Sequence, residues 1–396
     1  MKLLWVKTDY LHPTDRGGQI RTLEMLKRLH ARHEVDYLTL ANLANHEGPA
    51  RAKEYCRRHF AVPHRVTEKT SPRFALDLLR GLVSPLPVAI SRWQSELMRK
   101  KARELDAEEA YDAIVCDFLA PAASLDNWPR LVLFQHNVEA LIWQRHAERA
   151  PTPVHRWYFQ GQARKMEAFE AKASREFGRV ICVSENDAEI TRQRYGRADA
   201  AWVPTGVDTD YFAPPGEAKP VADLIFLGSM DWLPNVEGAE WLAKEILPRI
   251  WAQRPETTIA LVGRRPLPAV KALGEDKRIL VSGTVDDVRP WLWGAKVSIV
   301  PLRIGGGTRL KIYEAMAAGV ATVSTAVGAE GLSIDPGKNI LLADEPEAFA
   351  GACLSLLENE KIRLEQAKAG LLQVRSHQSW EAVTNCFEGL LWGSGG

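Results

Sequence analysis

No stretch of this sequence approaches the roughly 18 consecutive apolar residues that a membrane-spanning helix needs. The opening run Leu3-Leu4-Trp5-Val6 is too short for a signal-peptide core, so a cytoplasmic location is the default expectation. Cysteine is scarce. Cys56, Cys116, Cys182, Cys353 and Cys386 are scattered, odd in number and never spaced Cys-x-x-Cys. That pattern argues for free thiols in a reducing compartment and against a disulfide framework or a zinc site. Excess charge is also absent: 51 Lys+Arg stand against 50 Asp+Glu, a net +1 that argues against general nucleic-acid binding. Two phosphate-binding signatures are missing. The spacing Gly-x-x-x-x-Gly-Lys-Ser/Thr does not occur, and no dinucleotide fingerprint follows the first strand.

What is present is an ordinary globular composition, 46% hydrophobic and 26% charged. With 396 residues the chain exceeds the size at which single cores stop growing, so two domains are expected. Charge is divided between them. Residues 1–205 hold 32 basic and 26 acidic residues, net +6, and residues 206–396 hold 19 and 24, net −5. Much of the excess lies in 51–103, with 13 basic and 4 acidic residues.

Short apolar runs separated by helical stretches predict βαβ units and parallel sheets. In the first half the predicted strands are Met1–Lys7, Val35–Leu40, Ala113–Cys116, Leu131–Phe134 and Val180–Val183. Gly17, Gly18 and Arg21 follow the first of them, just before Leu23, Leu26 and Leu29 mark a helix. His136 comes directly after the fourth, at the strand end where open α/β sheets place ligands. A capping or core-edge histidine is the alternative reading. From Val138 to Phe177 the chain is charged and helical and predicts a pair of surface helices.

The turn-rich segment from Val203 to Gly216 marks the boundary, giving domains 1–205 and 206–378. The second series of strands is Leu224–Leu227, Ile259–Val262, Ile279–Val281, Val297–Val300, Ala321–Ser324 and Ile340–Leu342. A last helix, about 379–396, packs either on its own domain or back on the first. Four loops of the second half are expected to converge on one crevice. They begin with Gly228-Ser229, Gly283-Thr284-Val285, Gly305-Gly306-Gly307 and Val327-Gly328.

The third of these organises the site. Gly305-Gly306-Gly307-Thr308-Arg309-Leu310-Lys311 lies between a predicted strand and a helix ending at Gly319. Glycines let backbone N–H groups approach a ligand, and a helix N-terminus favours an anion. Arg309 and Lys311 add two cations, and Glu314, one turn on, can accept hydrogen bonds from sugar hydroxyls. The set suits a diphosphate. A plain mobile turn is the competing reading of the glycines alone.

The chain resembles the family-four glycosyltransferases with the GT-B fold. The likeness rests on Gly17-Gly18, His136-Asn137-Val138-Glu139, Val183-Ser184, Val203 to Asp208, Gly228, Gly283 to Asp287, and the stretch from Gly305 through Leu332. The implied fold is α/β, with two Rossmann-like doubly wound domains facing a central crevice. The implied activity is retaining transfer of a sugar from a nucleotide-sugar donor to a glycan or lipid-linked acceptor of the cell surface. Gly305, Gly306, Gly307, Thr308, Arg309 and Lys311 would face the donor diphosphate. Glu314 would hold the ribose, and Gly228, Ser229, Arg264 and Val285 would complete the donor site. The family's first acid is replaced by Gly306.

The resemblance assigns Gly17, Gly18, Arg21 and His136 to the acceptor side. His136, Arg309, Lys311 and Glu314 are the candidate catalytic set, and Glu139 is a candidate partner for His136. Cations and N–H donors can stabilise the charge left on the leaving phosphate. The Asp208-x-Asp210 pair belongs to the interdomain turn, so a metal-independent reaction with no cofactor is predicted. A nonhydrolysing nucleotide-sugar epimerase and a nucleotide-sugar-binding protein without activity are the alternatives. Residues 72–103, with Phe74 to Leu79 and Arg99-Lys100-Lys101, predict either contact with an anionic membrane or a solvated basic face.

Overall fold

The computed structural model describes residues 1–14, 17–41, 44–67, 72–148, 150–304 and 310–392. The chain forms two compact α/β units. One comprises Met1–Val203 together with the final helix from Val383 onward, and the other comprises Pro204–Ala382.

In the first unit the strands are β1 (Lys2–Val6), β2 (Glu34–Ala41), β3 (Arg58–Pro63), β4 (Ala113–Asp117), β5 (Leu131–Gln135), β6 (Arg179–Cys182) and β7 (Ala201–Trp202). Among the described residues they make one parallel sheet in the order β3-β2-β1-β4-β5-β6-β7. β4 and β5 are buried along their whole length, as strands covered by helices on both faces must be. Two strands escape a search for apolar runs. β3 is an edge strand that carries Arg58 and His59, and β7 is two residues long. An edge strand needs apolar neighbours on fewer sides, so its sequence is free to be polar.

In the second unit the strands are β8 (Ala222–Leu227), β9 (Ile259–Val262), β10 (Ile279–Gly283), β11 (Ala295–Val300), β12 (Ala321–Ser324) and β13 (Leu341–Leu342). They pair in parallel in the order β10-β9-β8-β11-β12-β13. Both sheets are Rossmann-like and doubly wound. Their order reverses between β1 and β4 in one and between β8 and β11 in the other, and such reversals open a crevice at the carboxyl ends of the strands.

The expected helix pair is Glu139–Glu148 and Pro153–Glu176. Thr152 starts the second by accepting a hydrogen bond from His155 N, with Pro153 in the first turn, where its missing N–H costs nothing. That helix is more than a surface element, because Gln162, Met166 and Glu170 are buried along one side. In the second unit the helix Leu233–Trp241 has Pro234 in its first turn.

The last helix, Trp380–Trp392, turns Val383, Phe387 and Leu391 inward. Phe387 lies 5.7 Å from the Trp5 ring and 4.9 Å from Phe134, so it closes the core of the first unit. Burial of such a ring contributes about 2–3 kcal/mol. Where the chain leaves and re-enters the second unit, Val207 N donates to Gln378 O at 2.7 Å. Gly206 is required beside them, since a Cβ there would stand 2.2 Å from the Trp380 ring.

Candidate active site

In the second unit the ends of β8, β9 and β10 and the helix Leu310–Ala317 enclose a cavity of about 520 Å³, within the ~300–1,000 Å³ typical of small-molecule sites. Gly228 and Ser229 come from the end of β8, Gly263 and Arg264 from β9, and Thr284 and Val285 from the end of β10. Lys311 and Glu314, one turn apart, form the helical wall. Two glycines let the floor close up: a Cβ on Gly263 would stand 1.7 Å from Gly228 O.

Lys311 is held by a residue that the sequence reading passed over. Its Nζ donates to Asn235 Oδ1 at 2.9 Å and lies 4.9 Å over the Phe226 ring. Asn235 is buried, and its Nδ2 donates to Ser229 O at 2.9 Å. One amide therefore ties the loop after β8 to the cation on the helix. Arg264 Nε donates to Ser229 Oγ at 3.0 Å, which turns a second cation toward the same loop. Burial raises the Glu314 carboxyl above its ordinary range, and Lys311 partly offsets this. Trp232, 41% exposed, lines the cavity with an aromatic face.

Of the expected donor residues, Gly228, Ser229, Arg264, Val285, Lys311 and Glu314 line this one cavity. Gly305, Gly306, Gly307, Thr308 and Arg309 lie outside the described residues. The loop Val327–Leu332 was expected here too, but none of its residues is among those that line the cavity. Gly328 instead packs inward, where a Cβ would meet Ser324 Oγ at 2.4 Å. The Asp208-x-Asp210 pair forms a turn: Asp208 Oδ1 accepts from Asp210 N and Tyr211 N. Among the described residues no group of three or more His, Cys, Asp or Glu is gathered in the manner of a metal cage.

In the first unit the sheet reversal gathers a second cluster. Asp117 ends β4 and is fully buried. Its Oδ2 accepts from Trp5 Nε1 at 3.0 Å, Lys7 Nζ at 2.8 Å and Thr22 Oγ1 at 2.7 Å. Its Oδ1 lies 2.7 Å from His136 Nε2, an electrostatic contact in which neither atom has an aligned hydrogen bond. Burial opposes the Asp117 charge, but Lys7 and then His136 hold the carboxyl well below its usual range. Burial is also the main influence on His136. It brings the imidazole down to about 4 against the pull of Asp117, so the ring is neutral at pH 7.

The rings around His136 fix its plane. Phe118 stacks on it at 3.8 Å and Phe134 meets it edge-on at 4.6 Å. Phe118 has φ +69, a left-handed conformation that costs a non-glycine residue energy and that recurs at functional sites. Gly18 passes close overhead: a Cβ there would stand 2.6 Å from Phe118 Cζ and 3.7 Å from His136 Nδ1. Thus Gly18 and His136, both expected on the acceptor side, are neighbours. Arg21, one turn further along, is buried, and Gly17 has open space around its Cα.

Glu139 is not the partner of His136. Its carboxyl is raised to about 7, chiefly by burial and further by Glu170. Glu170 accepts from Glu139 N at 2.8 Å, Ala140 N at 3.1 Å and Tyr195 OH at 2.7 Å, and so anchors the helix that begins at Glu139. The true partner, Asp117, was legible only as the last residue of a strand, the position that His136 follows in the neighbouring strand.

Comparison with known proteins identifies the family of the chain. Residues 16–211 match the family model described as Glycosyltransferase Family 4, and residues 222–359 match Glycosyl transferases group 1. The chain belongs to the group 1, family-four glycosyltransferases. This glycosyltransferase is 20% identical over 374 residues to an uncharacterized 44.6 kDa protein in the cps region of Klebsiella pneumoniae, covering 90% of this chain and 91% of the relative. Among solved structures it is similar to Anabaena HepE in complex with UDP, with TM-score 0.65, 15% identity and 99% and 100% of the two chains covered. It is likewise similar to WaaG, a glycosyltransferase involved in lipopolysaccharide biosynthesis, with TM-score 0.63, 15% identity and 99% and 100% coverage. At these identities the likeness shows the fold, which is GT-B.

Proposed function

We propose that this glycosyltransferase moves a sugar from a nucleotide-sugar donor, held in the cavity of the second unit, to a glycan or lipid-linked acceptor held by the first. The reaction retains the anomeric configuration, needs no metal or cofactor, and serves cell-surface polysaccharide synthesis in the cytoplasm. The observation that carries this reading is the meeting of Lys311, Glu314 and the loop after β8 in one cavity at the sheet reversal. Negative charge develops on the leaving diphosphate as the glycosidic bond breaks, and a preorganised cation stabilises that charge more in the transition state than in the ground state. Arg309 and the glycines 305–307 add donors on the same stretch of sequence. Glu314 takes the ribose hydroxyls, and the neutral His136 orients the acceptor.

Of the similar solved structures, HepE is in complex with UDP and WaaG is involved in lipopolysaccharide biosynthesis, and the relative from Klebsiella lies in a cps region. They support a UDP-sugar as the first donor to test. Thermal-shift titration with UDP-, GDP-, ADP- and dTDP-sugars reads binding as raised apparent stability. One nucleotide class is expected to shift the melting temperature in the wild type and to do so far less in Lys311→Ala. Equal shifts in both proteins would remove the cavity from the reading. Product anomer analysis by NMR tests retention, and activity after treatment with EDTA tests metal independence.

Contact with an anionic membrane is part of the same proposal. The helix Pro72–Val83 leaves Leu79, Leu82 and Val83 exposed. The basic run beyond it is largely paired, Arg99 with Glu96 and both Lys100 and Lys101 with Glu104, so the apolar residues are the better support. Flotation with vesicles of graded anionic lipid content tests it, and indifference to that content would exclude it.

A further inference from the structure

The first unit holds a cavity that the proposed reaction leaves unused. It is a groove of about 550 Å³, comparable in size to the donor cavity, between the helices Glu139–Glu148 and Pro153–Glu176. Its floor is Ala147 and Ala163, both buried, where two small side chains let the helices pack closely and leave a trough above them. Gln144 and Glu148 form one wall. Arg156, Gln160 and Arg164 form the other, since residues four apart share a helix face. A third helix, Glu185–Tyr195, ties the walls together: Arg194 donates from Nε to Glu167 at 2.6 Å and from Nη1 to Gln144 at 3.4 Å.

Most of the polar groups in this groove are uncommitted. Among the described residues the side chains of Glu148, Arg156, Gln160 and Arg164 make no hydrogen bond or ion pair, although acid and base line the same trough. Glu167 is neutralised by Arg194. Two guanidiniums then stand against one carboxylate, with an amide on each wall.

This lining selects a chemical class. No aromatic or large aliphatic side chain lines the groove, so neither an acyl chain nor a nucleobase gains much by burial there. Amides, guanidiniums and a carboxylate together donate and accept hydrogen bonds, as the adjacent hydroxyls of a sugar require. A guanidinium also binds a carboxylate through two parallel hydrogen bonds. The excess of guanidinium favours sugars that carry carboxylates.

We infer that this groove binds the non-reacting part of an acidic oligosaccharide acceptor, with Arg156 and Arg164 on its carboxylates and Gln144, Glu148 and Gln160 on its hydroxyls. The inference rests on the reading that the first unit binds a glycan acceptor. The helix Glu139–Glu148 starts three residues after His136, and Glu139 N donates to Glu170 of the facing helix at 2.8 Å, so both walls are fixed to the strand end that carries His136. At ~1.5 Å per residue, Gln144 stands about 8 Å and Glu148 about 14 Å along that helix from its start. A ligand that reaches both His136 and the groove is therefore a chain of sugars, and the second point of attachment favours long acceptors over short ones.

The test is a calorimetric titration of tetragalacturonate into the full chain at low ionic strength, where charge contacts are least screened. Its fully methyl-esterified form keeps every sugar ring and removes the carboxylate charges. The wild type is expected to bind the acid about tenfold or more tightly than the ester, the order of a charge-assisted contact. Arg156→Gln together with Arg164→Gln should abolish that preference while keeping the wild-type melting temperature, because both side chains are exposed. Arg156→Lys together with Arg164→Lys, which keeps the charge without the planar fork, should retain part of it. No binding to the wild type, equal affinity for acid and ester, or an unchanged preference in the double Gln variant would each overturn the inference. Displacement of tetragalacturonate by a nucleotide-sugar would place it in the donor cavity and would overturn it too. Failure of every nucleotide-sugar to bind would instead count against the donor reading, and the acid and ester affinities would still decide the groove.

Discussion

His136 Nε2 stands 2.7 Å from Asp117 Oδ1; Asp117 ends one strand of a parallel sheet and His136 directly follows the end of the neighbouring strand. The contact couples a buried imidazole at the sheet reversal to a carboxylate sealed by Lys7, Trp5 and Thr22. Its first consequence concerns pH. The imidazole titrates near 4 when folded and at 6.5 in the reference state, so between these values the unfolded chain binds more protons. Stability from this group is therefore complete above pH 6.5 and is lost as pH falls toward 4. Melting temperatures across that window should fall less steeply with acid in His136→Asn than in the wild type.

Glu139 bends the same curve the other way. Its carboxyl lies near 7 when folded against 4.5 unfolded, so the folded chain holds the proton longer. Stability from this group is complete below pH 4.5 and is lost as pH rises through 7. Glu139→Gln is expected to be the more stable protein at pH 8, with little difference from the wild type at pH 4.5. Denaturant melts at the two pH values provide the check.

Asp117→Asn leaves the Lys7 ammonium, 3% exposed, without its counterion. Removing one member of a buried pair costs about 3–5 kcal/mol. Urea unfolding should show a loss of this order, and the double variant with Lys7→Met should recover part of it, because no charge is then stranded.

Asn235 Oδ1 accepts from Lys311 Nζ at 2.9 Å, so the proposed donor site gives Asn235 an indirect role through that cation. Asn235→Ala should weaken nucleotide-sugar binding about tenfold, the order of a hydrogen bond to a charged group. In a Lys311→Ala background the same change should have little further effect. Two fully additive losses in this double-mutant cycle would show that Asn235 does not work through Lys311.

Gly263→Ala puts a methyl group 1.7 Å from Gly228 O. The ends of β8 and β9 would have to part, at a cost of about 3 kcal/mol from overpacking. A lower melting temperature together with loss of the nucleotide-induced shift is expected, whereas Gly216→Ala, in open space, should change neither.

Much of this protein is legible in order along the chain. The six strands of the second unit and five of the first follow from short apolar runs, because a parallel sheet buries both faces and leaves little room for polar residues. The glycine-flanked strand ends point to Gly18 and Gly228 for the same local reason: a backbone that passes this close to the Phe118 ring or the Asn235 amide cannot carry a Cβ. β3 was not legible, since an edge strand can be written in arginine and histidine.

The partners were decided by tertiary structure. Local pattern suggested Glu139 for His136, being close in sequence, but the fold turns Glu139 toward Glu170 and brings Asp117 from another strand. Asn235 and Lys311 meet across 76 positions of chain. The sequence by itself determined the strands, the two parallel sheets and the glycine-flanked strand ends, because apolar periodicity and glycine placement act over a few residues; the reaction class was legible only through the resemblance of its motifs to a family. Which charge answers which was left to packing, because electrostatic partners are chosen by distance and burial, and parallel strands set distance through crossovers that no local pattern encodes.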